Sequence, residues 1–234
     1  MAFLLHIETA TKVCSVVLSE NDKVLFCEET YIENSHSSLL TIYIQNIIKK
    51  AGIALSEIDA ISVSKGPGSY TGLRIGVSAA KGICFGIDKP LISVNTLEAM
   101  SYGFIETFNK ELLEEALLCP MIDARRMEVY AAIYNQNICC LRGTQADIVT
   151  ENTYKEFIDV NNVYFFGDGA FKCADLLKNF KNAIINNNFN PSARFLTKPA
   201  YLKFCSKEFE DTAYFEPYYL KDFIAGKSIV KGLI

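Results

Sequence analysis

Tryptophan is absent from the chain, and histidine occurs only as His6 and His36. Two histidines so far apart form no pair at helical spacing, and no His, Cys and carboxylate cluster has the spacing of a metal site. No metal and no cofactor are expected. Positive charge is also in short supply: 23 Lys and Arg stand against 27 Asp and Glu, a formal net charge of −4. Neutralising phosphates supplies most of the affinity for nucleic acid, and scattered cations make no basic stripe. Direct gripping of a nucleic acid by this chain alone is therefore not expected. No apolar run approaches the roughly 18 residues that would cross a membrane. The eight cysteines contain no C-x-x-C, and no secretory leader pattern opens the chain. Buried, reduced thiols in the cytoplasm are the expectation, with Cys139-Cys140 the one adjacent pair open to redox or metal chemistry.

What is present is alternation. Phe3 to Glu8, Val13 to Ser19 and Val24 to Tyr31 read as three strands, the last two joined by a polar turn at Glu20 to Lys23. From Ser37 to Ala51 the period lengthens: Leu40, Ile44, Ile47, Ile48 and Ala51 share one helical face, and Gly52 stands at the C-cap. A strand over 58–64, a helix over 70–85 and a strand over 91–94 follow. The second half repeats this order loosely. It has strands at 117–122, 127–134, 137–141 and 163–166, and helices at 153–159 and 170–179. Three antiparallel strands leading into alternating helix and strand, twice over, predict a duplicated α/β protein. Its expected units are 1–104 and a smaller, degenerate 105–234, joined where 102–109 shows no strand pattern. The Asn-rich run from Asn182 to Asn190 reads as a surface loop, 193–209 as helical in its latter part, and Glu216-Pro217 as the start of an extended tail.

The informative segment runs from Ile61 to Gly82. It reads as a strand, a tight turn at Gly66-Pro67-Gly68-Ser69, and a helix capped by Ser69. Such a junction aims free N–H groups at whatever lies beyond the helix start, which suits an anion; it equally suits a turn packed for its own sake. Within the helix, Gly72, Gly76 and Ala80 recur every fourth residue. Glycine costs a helix roughly 1 kcal/mol against alanine, so this smooth strip implies a close neighbour, inside the domain or on a partner.

GPGSYTGLRIGVSAAKG (66–82) resembles the GPGSFTGLRIG signature of the TsaB (YeaZ) family, with Tyr70 where Phe is usual. The likeness continues in order along the chain. His36 to Leu40 resembles the HS-x-x-L segment, Ile122 to Tyr130 the IDAR-x-x-EVY hairpin, Gly167 to Ala170 a GDGA turn, and Pro217 to Lys221 a P-x-Y-L-R ending with Lys for Arg. The match is strong in the first half and thinner after residue 135.

The resemblance implies a duplicated actin-like fold of the ASKHA, ribonuclease H-like kind, with two β-β-β-α-β-α domains. It implies a non-catalytic subunit of the machinery forming N6-threonylcarbamoyladenosine at tRNA position 37. Expected partners are a TsaD-type catalytic subunit, a TsaE-type ATPase, tRNA only through the complex, and a second copy when alone. TsaD-type proteins hold a metal through H-x-x-x-H; here Ile32 stands four residues before His36, so the pair is missing. Actin-like ATPases follow their first acidic residue with a glycine turn, and Glu8-Thr-Ala-Thr lacks that glycine. A residual ion or nucleotide site would involve Glu8, Gly66, Pro67, Gly68, Ser69, Tyr70 and Thr71. Asp123 is expected to bond back to turn amides. The implied partner face comprises Leu39, Ile42, Tyr43, Arg74, Ser78 and Lys81. Rival readings are an actin-like ATPase or small-molecule kinase, a metallopeptidase, and a homodimeric module without a tRNA connection.

Overall fold

The computed structural model describes residues 1–32 and 36–221. Strands β1 (Phe3–Glu8), β2 (Cys14–Glu20), β3 (Lys23–Thr30), β4 (Ala60–Gly66) and β5 (Leu91–Asn95) form one sheet in the order β3-β2-β1-β4-β5. Strands β6 (Leu117–Asp123), β7 (Glu128–Tyr134), β8 (Cys140–Ile148), β9 (Val163–Phe166) and β10 (Ala183–Asn186) form a second, in the order β10-β9-β6-β7-β8. In each, the first three strands run antiparallel and the last two join parallel to the first. Position for position the sheets correspond, which is the duplicated actin-like fold.

Helices α1 (His36–Ala51) and α2 (Tyr70–Ile87) cover one face of the first sheet. Leu40, Ile44 and Ile47 of α1 and Val77, Ala80 and Cys84 of α2 meet Leu5, Ile7, Val16 and Val63 in a core from which water is excluded. Gly52, at φ +68°, ends α1 where a side chain would be strained. In the second sheet α4 (Lys155–Ile158) and α5 (Asp168–Leu177) occupy the equivalent face, with Ile158, Ala170, Cys173 and Leu177 against Cys119, Val129 and Phe165. Arg142 grips Asp147 through both terminal nitrogens (2.8 and 2.6 Å), and Tyr154 Oη donates to the same carboxylate at 2.9 Å.

The largest departure from expectation is α3 (Thr96–Phe108), which fills the stretch read as a patternless junction. Asn95 caps it, its Oδ1 accepting from Leu97 and Glu98 N–H. Leu97, Met100 and Phe104 face the second sheet, where Phe104 stacks on Phe166 with ring centres 4.0 Å apart, while Ala99 faces the first. The helix thus belongs to both cores. Two strands also differ: β8 begins three residues later than expected and runs to Ile148, and the first Asn-rich residues are the edge strand β10. A one-turn helix (Ala193–Leu196) and α6 (Thr197–Ser206) then return to the first sheet, where Ala193, Leu196 and Ala200 cover Leu4, Val17, Ile92 and Val94. The tail from Glu216 carries no helix or strand as far as Lys221; positions 222–234 lie outside the described residues.

The glycine strip of α2 faces inward, onto the turn that follows β1. A methyl group on Gly72 would stand 2.1 Å from the Thr9 carbonyl oxygen, and one on Gly76 would stand 2.2 Å from Thr9 Oγ1. Thr9 Oγ1 is buried and makes no hydrogen bond. Gly76→Ala should therefore destabilise the fold by about 1–3 kcal/mol despite alanine's better helix propensity. Thr9→Ala should restore most of that loss for Gly76→Ala and none of it for Gly72→Ala, whose obstacle is backbone. Urea unfolding of the three single and two double variants measures the coupling.

Candidate functional site

A cleft of about 1000 Å³ opens between the two sheets. Its first wall is the signature turn together with Ala10, Thr11 and Lys12; its second is the β6–β7 hairpin at Ile122 to Arg125 with Asp168 and Lys172. The first wall is built by close backbone approach. Gly66 adopts φ +112° and its peptide bond to Pro67 is cis. A side chain on Gly68 would begin 2.3 Å from the Ala10 carbonyl oxygen, the same oxygen that accepts from Ser69 N–H at 2.6 Å. Ser69 Oγ caps α2 by accepting from Gly72 N–H at 3.2 Å. Gly66, Pro67, Gly68, Ser69, Tyr70 and Thr71 are thus one continuous surface, and all but Gly66 line the cleft.

Glu8 lies behind this wall rather than in it. Its carboxylate is buried and accepts from Ala10 N–H at 2.6 Å and Ser64 Oγ at 3.0 Å. Burial outweighs those bonds and lifts its pKa to about 7. Glu8 is thus an interior acid, and it does not line the cleft. Two strands of the same sheet hold the fully buried His6 between Ser62 Oγ (2.6 Å) and Ser19 Oγ (2.8 Å), and desolvation lowers its pKa to about 3. His36 is a packing residue at the start of α1, its Nε2 within 2.9 Å of the Thr11 carbonyl oxygen and 3.2 Å of that of Val13.

The opposite wall is ordered by carboxylates. Asp123 Oδ1 accepts from Arg125 N–H at 2.8 Å, the expected bond back to the turn, and from Lys172 Nζ at 2.6 Å. Asp168 Oδ1 accepts from Asp123 N–H at 2.9 Å, and burial raises its pKa. Gly167 is the N-cap of α5, and Asp168-Gly169 are its first residues. Arg125 and Arg126 both take positive φ, 68° and 50°, at the hairpin tip. No group of three or more His, Cys, Asp and Glu at metal spacing occurs among the described residues.

The six expected partner-face residues divide into two sets. On α1, Ile42 is 46% exposed, Leu39 is half-buried, and Tyr43 packs on the core of its own sheet. On α2, Ser78 is exposed, but Arg74 donates to Tyr219 Oη at 3.3 Å and Lys81 reaches the carbonyl oxygens of Ala213 (3.2 Å) and Phe215 (2.9 Å). The chain's own C-terminal segment thus occupies that half of the face. Phe85, 89% exposed on α2, escaped the sequence reading although it lies off the core stripe. Of the eight cysteines, all unpaired, Cys14, Cys84, Cys119 and Cys173 are buried as expected, whereas Cys139, Cys140 and Cys205 are exposed.

Residues 30–207 match the protein family described as TsaD: tRNA N6-adenosine threonylcarbamoyltransferase. Over nearly its whole length the chain is similar to the tRNA threonylcarbamoyladenosine biosynthesis protein TsaB of Haemophilus influenzae, at 26% identity over 97% of this chain and 96% of that one. The protein of the same description from Escherichia coli is 36% identical over 57% of this chain and 55% of its own length. In three dimensions, YeaZ from Pseudomonas aeruginosa superimposes with a TM-score of 0.81 at 23% identity, covering 94% of this chain and all of that one.

Glu8 and His6 act on stability in opposite senses. A carboxyl whose pKa rises on folding, from 4.5 to about 7, loses stability as pH climbs through that window; a histidine lowered from 6.5 to about 3 gains it as pH climbs. Between pH 4.5 and 6.5 the two slopes oppose each other. Glu8→Gln keeps the acceptor oxygen and removes the titration. Its stability relative to wild type should rise with pH from about 4.5 and level off near 7, by up to about 3 kcal/mol. Urea unfolding across pH checks this; a difference that stays constant with pH would mean Glu8 titrates normally.

Proposed function

Because the chain belongs to the TsaD family of tRNA N6-adenosine threonylcarbamoyltransferase, with TsaB proteins as relatives along its full length, we propose that it serves tRNA threonylcarbamoyladenosine biosynthesis as a non-catalytic subunit. In this reading it binds a TsaD-type catalytic subunit in the cytoplasm and holds it in the competent arrangement. It also helps a TsaE-type ATPase dock, pairs with a second copy when the catalytic subunit is absent, and meets tRNA only within the assembly. The net charge of −4 agrees with that indirect contact, and the missing H-x-x-x-H pair agrees with a helper rather than a metal-dependent transferase. The domain division at residue 104 belongs to the same reading.

The observation that carries the partner role is the outer surface of α1 and α2. Both helices bury one apolar face in their own domain yet leave Ile42 and Phe85 in solvent. Exposed aliphatic and aromatic side chains on the outer faces of two helices of one layer favour a protein partner.

Co-purification with the catalytic subunit of the same organism, followed by light scattering, tests the reading. A one-to-one complex is expected. Ile42→Asp, at an exposed position, should keep the wild-type melting temperature while weakening that complex by at least about tenfold, as a charge buried at an interface does. If wild type ignores the catalytic subunit, the partner role fails. The cleft itself favours one second reading, an actin-like ATPase or small-molecule kinase. ATP with magnesium at a hundred times its dissociation constant would then add about 2.7 kcal/mol to stability.

A further inference from the structure

Residues 207–221 run across three layers of the molecule without forming a helix. At the root, Glu210 N–H donates to the Leu91 carbonyl oxygen at 2.8 Å, forming an isolated bridge on the edge of the first sheet, and the Glu210 carboxylate accepts from Ser93 Oγ. Next, Phe215 packs into the core beneath α1 and α2, with Lys81 bonded to the carbonyl oxygens on either side of the bend. Beyond it Tyr218 N–H donates to the Lys65 carbonyl oxygen at 2.7 Å, one residue before the signature turn. The Tyr219 ring lies 4.9 Å from that of Tyr70, and the Arg74 guanidinium stands 4.3 Å over Tyr70. At the tip, Lys221 crosses the cleft and pairs with Glu128 on β7, 5.9 Å from the Tyr130 ring centre.

The segment therefore has one end embedded in the first half and the other fastened to the second. Its fastenings are graded. The root uses main-chain bonds and a partly buried aromatic ring packed on the core; the tip uses an ion pair whose side chains are 34% and 26% exposed. A pair that wet is weak and screened by salt. Gly66 marks how close the passage is: a side chain there would stand 2.8 Å from the Tyr218 carbonyl oxygen. On the far side of the cleft α3 packs on both sheets, so the halves are joined by a helix at the base and by this segment at the mouth.

We propose that residues 207–221 are a strap that sets the opening of the cleft, released from its tip at the Lys221–Glu128 pair while its root stays in place. Because the strap also lays Tyr219 on Arg74 and Tyr70, its release uncovers that first part of α2 and widens the cleft in one movement, while Lys81 stays bonded to the root. The α2 face and the cleft are in this way mechanically coupled.

Hydrogen exchange on the full chain, paired with a distance measurement, tests the strap. Lys221→Met keeps the length of the side chain and removes its charge. It should speed exchange of the Tyr218 amide by roughly tenfold, as should molar salt on the wild type, with the Glu210 amide and the β1 and β6 amides unchanged. Spin labels on Thr71→Cys and Arg125→Cys, with Cys139, Cys140 and Cys205 changed to Ser, report the cleft directly. Their separation should lengthen or broaden in Lys221→Met. Amides 210 to 221 exchanging as one block, a tip indifferent to charge and salt, or an unchanged separation once the tip is free would each overturn the proposal.

Discussion

The first half depends on one close approach, where α2 and the turn leading into it pass over the turn after β1. Gly68 and Gly72 admit the Ala10 and Thr9 carbonyl oxygens, and Gly76 the Thr9 hydroxyl, to positions that a single methyl group would fill. From this contact the rest of the first half follows. It fixes the height of α2 above the sheet, and thereby which residues of α1 can pack beside it. It sets the signature turn as the cleft wall, and it seals Glu8 behind that wall, where backbone amides and the Ser64 hydroxyl reach the carboxylate. An acid in such a place is held chiefly by geometry, since water is excluded and no cation bonds to it.

The second half repeats the plan with different chemistry. Where the first sheet buries Glu8 and His6, the second buries Asp147 and Tyr154 and bonds the half-buried Arg142 to that carboxylate. The cleft between them consequently has unlike walls. One is a smooth run of glycine, proline and hydroxyl residues; the other is a hairpin held by Asp123, Asp168 and Lys172 and ending in two arginines at positive φ. Backbone strain at such a tip persists only where surrounding bonds over-determine it, and the Asp123 network supplies them.

Much of this was legible because local signals and burial agree. The spacing of Leu40, Ile44 and Ile47, the Gly52 cap, the Ser69 cap and the alternation from Glu128 to Tyr134 each specify an element and the face it buries. The segment α3 was not legible by the same means, because a helix packed on two sheets is apolar on both sides and loses its period. Asn95 and Glu98, three residues apart ahead of Leu97, Met100 and Phe104, were the available signal. Strand β10 hid in asparagines because an edge strand with few buried residues needs little apolar alternation. That Arg74 and Lys81 meet the C-terminal segment was not legible either, because a helix pattern carries no information about a segment arriving from 132 to 145 residues further along the chain.

The return of α6 to the first sheet sets the order in which the protein can be completed as it leaves the ribosome. Leu4, Val17, Ile92 and Val94 are made about a hundred residues or more before Ala193, Leu196 and Ala200, which cover them. Until those arrive, the emerging half has its sheet assembled with one apolar face lacking its final cover. Such a surface is the kind that nascent chains lose to aggregation or hand to chaperones. Slow translation between residues 109 and 192 would lengthen that exposure, so the second half is both a structural counterpart of the first and the interval during which the first must be kept in solution.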